Sequence, residues 1–148
     1  MRIGIVGSEA SKFTPETEEE ARHWIRVMIE GAELVISGEC HLGGVDIYTR
    51  EEALAAGIPF LPCPPMRLQW SGGYKERNLK IAKHSDILVC ITVKELPPGY
   101  TGMRFATCYH HRDEQNVPPH VKSGGCWTLR QARLMGKTTE LIVIGADT

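Results

Sequence analysis

The densest group of reactive side chains in this sequence is Cys108, His110, His111, His120 and Cys126. Thiolates and imidazoles are the usual ligands of tetrahedral zinc, and Cys108, His111, His120 and Cys126 supply two of each. Their spacing matches no standard zinc motif, and histidines in a solvated loop are also common without a metal. Cys126 admits a second reading, as a nucleophile at a helix start with His120 or His111 as its base. In a third reading it is a small residue filling a turn. The sequence leaves all three open.

A second kind of chemistry comes from glycine-containing turns. These are Gly7-Ser8, the run from Ser37-Gly38 through Gly43-Gly44 to Asp46, and Ser123-Gly124-Gly125-Cys126-Trp127-Thr128. Glycine lets backbone amides approach a ligand closely, and a helix start offers free N–H groups and a positive dipole end. Phosphate is the anion such sites most often hold, with Ser8, Ser37, Ser123 and Thr128 adding hydroxyls. Each turn alone is also how any tight strand-to-helix connection is made. Neither G-x-G-x-x-G nor G-x-x-x-x-G-K-[ST] occurs, which disfavours a standard NAD or ATPase site. Beside these turns stand Tyr74, Arg77 and Asn78. Arg77 can form a bidentate fork to phosphate, Asn78 can pair with a base or sugar, and Tyr74 or Trp70 can stack on a ring. Asp46 suits either ribose hydroxyls or the positive end of its own helix.

Alternating elements must position these residues. Short apolar runs ended by glycine or proline predict strands at Ile3–Gly7, Glu33–Ser37, Ile58–Leu61, Ile87–Val93 and Leu141–Gly145. Helical spacing or capping signals predict helices from Pro15 to about Ile29, Val45 to Ala56, Tyr74 to His84 and Thr128 to Met135. Residues 94–123 carry four prolines and little periodicity, a length of loop that is usually functional, mobile or locally stapled. The alternation predicts a Rossmann-like three-layer α/β fold: a mostly parallel sheet of about five strands, with helices on both faces. Ligands of such sheets bind beyond the carboxyl ends of the strands.

The chain has 148 residues, 17 basic and 18 acidic, a net charge of -1, and 42% apolar residues. That length predicts a single domain over residues 1–148. The balanced charge removes bulk electrostatics as a reason to bind duplex nucleic acid or an anionic membrane. Five cysteines with no secretory or spanning segment lead us to expect a cytoplasmic protein with reduced thiols. Cys63 and Cys90 lie in apolar strands and are expected in the core.

The segments IGIVGS, VISGECHLGGVD, GYKERNLKIAKHSDILVCI and SGGCWTLRQARLMGK together resemble the SLOG superfamily. This Rossmann-like group includes the LOG phosphoribohydrolases and the DNA-processing protein A fold, and the likeness covers most of the chain. It implies a pocket for a nucleotide or nucleotide-derived ligand, and a homo-oligomer. The LOG signature P-G-G-x-G-T-x-x-E aligns with Ser123–Gln131: the glycine pair and Thr128 are kept, while Gln131 stands at the acidic position. A glutamine cannot exchange a proton as a carboxylate does. Glu39, Asp46 or Glu76 could replace it only by facing the pocket, and Arg77 resembles the family's helix arginine.

The expected function is therefore binding or sensing of a nucleotide-like phosphate ligand. The alternative is hydrolysis of the N-glycosidic bond of a nucleoside monophosphate.

Overall fold

The computed structural model describes residues 1–104, 108 and 117–145. Five strands form one sheet: β1 (Arg2–Gly7), β2 (Leu34–Gly38), β3 (Phe60–Cys63), β4 (Ile87–Val93) and β5 (Thr138–Ile144). Their order is β3-β2-β1-β4-β5, and every neighbouring pair is parallel. The helices are α1 (Pro15–Ile29), α2 (Val45–Ala55), α3 (Lys75–His84) and α4 (Gly124–Leu134).

Alternation along the strands sends successive side chains to opposite faces. On β1, Ile3 and Ile5 pack with Ile25 and Ile29 of α1 and Val45 and Tyr48 of α2. Val6 faces the other way, toward Ile81 of α3 and Leu129 of α4. The result is a three-layer α/β fold with helices on both faces. Two apolar cores share the sheet, so each buried strand reads as an uninterrupted apolar run.

The helix starts follow from their residues. Thr14 accepts a hydrogen bond from the Thr17 amide, and the Thr17 hydroxyl accepts one from the Thr14 amide at 2.7 Å. Pro15 occupies the first turn, where its missing N–H costs nothing. Ala21, Ile25 and Ile29, one turn apart, form the buried stripe of α1.

Three elements differ from the sequence-based expectation by more than one residue at an end. β3 runs from Phe60 to Cys63, carried past Leu61 by its pairing with β2, and it tolerates Pro62 because it is an edge strand. β5 starts at Thr138, where pairing with β4 begins, rather than at Leu141. α4 starts at Gly124 rather than Thr128. Ser123 caps it by accepting the Gly125 amide at 3.0 Å, which overcomes the poor helix propensity of two glycines.

Among the described residues, 94–123 contains no helix or strand. Its end is tied to β4 by the Val121 amide on the Val93 carbonyl at 2.8 Å and by Thr92 Oγ1 on the Val121 carbonyl at 2.8 Å. No helix of the described residues is long and apolar enough to cross a membrane. Cys63 and Cys90 lie in the core, as expected.

Candidate functional site

The order in which strands are added to the sheet reverses between β1 and β4. β2 and β3 extend the sheet on one side of β1, and the crossover through α3 returns to place β4 and β5 on the other. At the carboxyl end of this switch lies a cavity of about 330 Å³. Gly7 and Ser8 come to it from β1, Asp46 from α2, Tyr74, Arg77 and Asn78 from α3, and Ser123, Gly124, Gly125 and Thr128 from α4. These parts of the chain, expected from sequence to meet at one sheet edge, do meet there.

Other residues anticipated for the ligand stand behind or beside this cavity. Ser37 is fully buried and donates its hydroxyl to the Ile5 carbonyl, with Asp46 Oδ1 at 3.2 Å. Gly38 backs the Arg77 guanidinium. Gly43 and Gly44 take positive φ to bring the α2 start against the turn after β1, where the Val45 amide donates to the Ser8 carbonyl at 3.0 Å. Glu39 pairs with Arg50 at 3.8 Å, and neither Glu39 nor Glu76 lines the cavity. The same holds for Gln131.

Trp70, held at the rim by an irregular turn over Trp70–Tyr74, meets Trp127 edge-on at 4.7 Å between ring centroids. Glu9, Lys12, Cys40 and Leu42 also line the cavity but were not anticipated. Glu9 and Lys12 follow the carboxyl end of β1 directly, so the rule that pointed to Gly7-Ser8 covers them as well.

Arg77 is the electrostatic centre. Its Nε donates to Asn78 Oδ1 at 2.6 Å, and its guanidinium carbon lies 5.2 Å from the Tyr74 ring centre. The Arg77 and Asp46 side chains are 8% and 10% exposed, with Nη1 and Oδ2 3.7 Å apart. That exceeds a hydrogen bond. Among the described residues, Nη1 is a buried nitrogen without a hydrogen-bond partner. Burial pushes the Asp46 carboxyl above its ordinary value, against the opposing pull of Arg77 and the Ser37 hydroxyl. Asp46 thus faces Arg77 as its counter-charge without hydrogen-bonding Nη1.

The hydroxyls divide by role. Ser8 donates to Thr92 Oγ1 at 3.1 Å, and Thr92 donates onward to Val121, so the Ser8 proton is spent inside the fold. Ser123 accepts its capping bond and keeps its own proton available. Lys12 lines the cavity with Nζ 3.2 Å from the Lys122 carbonyl.

Cys126 lies in the first turn of α4, completely buried beneath this wall. A hydrogen bond with Cys108 pulls its thiol down, but the neighbouring Cys90 thiol and burial outweigh that and leave it above the ordinary value. Complete burial denies Cys126 the access that the activated-nucleophile reading needs. Burial in the core defeats the helix-dipole effect. Cys108, His120 and Cys126 nevertheless converge, their ligating atoms within 4.8 Å of one another. His111 and His110 lie outside the described residues.

No protein-family model matches the chain, and no curated protein matches it in sequence. Among solved structures it is similar to the molybdenum cofactor carrier protein MCP of Chlamydomonas reinhardtii. The two share 16% identity with a TM-score of 0.59, over 95% of this chain and 74% of that one. At that identity the likeness shows the α/β fold.

Proposed function

We propose that the protein binds a nucleotide or nucleotide-derived phosphate ligand at the switch point between β1 and β4, and that it is a member of the SLOG superfamily. The observation that carries this reading is Arg77: a buried cation in the cavity wall whose carboxylate neighbour stands beyond hydrogen-bonding distance. In this reading a ligand anion pairs with the cavity-facing part of the guanidinium, Nη1 itself being turned toward Gly38 and Asp46. The Ser123 hydroxyl and the α4 start add donors, and Trp70 or Tyr74 offers a ring face to a base. Cofactor carriage by the structural relative named above fits ligand binding on this fold. The test is a thermal-shift series of nucleoside mono- and diphosphates against the matching nucleosides. Phosphorylated members should stabilise the protein and Arg77→Ala should remove the effect; no shift with any phosphate ligand defeats the reading.

A second reading, hydrolysis of a nucleoside monophosphate at its N-glycosidic bond, is favoured by one observation. Asp46 is a buried carboxyl that lines the cavity beside Arg77. Release of free base, measured by chromatography and lost in Asp46→Asn, would establish it; intact nucleotide after prolonged incubation would sink it.

A further inference from the structure

We infer that Cys108, His120 and Cys126 hold a zinc ion that fastens the irregular segment to the first turn of α4. Cys108 comes from the irregular segment and Cys126 from the first turn of α4, with His120 just before that helix, and their ligating atoms gather within 4.8 Å. Zinc bonds of about 2.3 Å to sulfur and 2.0–2.1 Å to nitrogen, at tetrahedral angles, set neighbouring ligand atoms roughly 3.5–3.8 Å apart. His120 Nε2 and Cys126 Sγ stand 3.6 Å apart.

The orientation of the histidine agrees with this. His120 Nδ1 lies 2.7 Å from the Pro118 carbonyl, which can only accept, so Nδ1 carries the proton. The Nε2 lone pair is thereby turned toward the Cys126 sulfur. Ligating histidines are commonly fixed in this way, by donating the other ring N–H to a carbonyl. Two sulfurs and one imidazole suit zinc far better than magnesium or calcium, which seek oxygen. Three protein donors leave the fourth tetrahedral position to a ligand outside this trio.

Zinc also accounts for how the segment is placed. Val121 is tied to β4 by hydrogen bonds, and Cys108 is half-buried against the core cluster that contains Cys126. A Cys108–zinc–Cys126 bridge supplies a tether of the kind that small folds use when apolar burial is scarce. Ser123, Gly124 and Gly125, which line the cavity, lie between His120 and Cys126. Zinc therefore fixes one wall of the ligand site from behind.

The experiment begins with protein expressed without an affinity tag and analysed for metals. About one zinc per chain is expected. Cobalt(II) titrated into the stripped protein should give a thiolate-to-cobalt charge-transfer band and the intense visible bands of tetrahedral coordination. Cys108→Ser and His120→Ala should each weaken cobalt binding on the order of tenfold or more. Cys40→Ser should leave the spectrum unchanged. Cys126→Ser alters the core, so Cys108→Ser and His120→Ala keep the test valid if that variant does not fold. The inference is overturned by purified protein without zinc whose stripped form yields no cobalt spectrum. It is overturned equally if the spectrum survives in Cys108→Ser and His120→Ala, or is lost in Cys40→Ser.

Discussion

Gly38 and Arg77 compete for one volume: a Cβ on residue 38 would overlap Arg77 Nη1 and come within 2.7 Å of Asp46 Oδ2. The colliding atoms are side-chain ends, which can move. Gly38→Ala should therefore fold, with a modest loss of stability, while displacing the guanidinium from its seat. We expect phosphate-ligand affinity to fall more than melting temperature does, as read by calorimetry and thermal unfolding on the same sample. Equal affinity in the variant and the parent would mean that the seat of Arg77 is unimportant.

Truncating Arg77 removes hydrogen bonds to a charged group, each worth about 1.5–3 kcal/mol. Arg77→Ala should thus weaken a phosphate ligand on the order of 10- to 100-fold, and a neutral nucleoside far less. Arg77→Lys keeps the charge but loses the planar fork, and should recover only part of the affinity.

Asp46 gives the site a pH dependence. Its folded carboxyl titrates above the ordinary value because burial disfavours the charged form. The folded state thus holds this proton more tightly than the unfolded chain. Its stabilising contribution is full below the unfolded value, near about 4, and is lost as pH rises through the higher folded value. Over the same window, ionised Asp46 gains charge beside Arg77 and repels an incoming anion. Asp46→Asn should flatten both the stability profile and the affinity profile there. The comparison between variant and parent isolates this effect from titration of the phosphate itself.

Gly7 and Gly125 meet where β1 touches α4. A Cβ at Gly125 would lie 2.9 Å from the Gly7 amide nitrogen and 3.0 Å from Cys90 Sγ, and one at Gly7 would overlap the Ile91 carbonyl. Backbone cannot yield as a side-chain end does. Gly125→Ala should cost about 1–3 kcal/mol of overpacking, and Gly7→Ala at least as much, measured by denaturant unfolding. An unchanged midpoint for both would show that this contact is loose.

Trp70 reports on occupancy. It sits at the cavity rim in edge contact with Trp127, so a base stacking there should change tryptophan emission. The change should largely disappear in Trp70→Phe. A nucleotide that binds without altering emission would place its base elsewhere.

Much of this was legible in the sequence because parallel strands buried on both faces read as apolar runs stopped by glycine. That signal located Gly7-Ser8, Arg77 and Ser123–Thr128 at one edge. It could not say which residues at that edge face the cavity. Ser37 stands one residue before the end of β2, but its hydroxyl turns inward to Ile5 and Asp46. The poor propensity of Gly124 and Gly125 points to a start at Thr128, but the Ser123 cap begins α4 at Gly124, with Gly125 packed against Gly7. The pairing of His120 with Cys126 joins a loop to a helix, and no standard spacing announced it.

The central position of β1 has a consequence for how the fold assembles. Arg2 and Asp86, bonded across the β1–β4 junction, are 84 residues apart, so the central strand of the sheet meets one of its two neighbours only through long-range contact. Such non-local pairing slows folding, because a long loop must close before the contact stabilises anything. The cavity depends on long-range contact too, since its α4 wall begins at Ser123 while Gly7 and Ser8 come from the end of β1. A fragment ending before Ser123 lacks that wall.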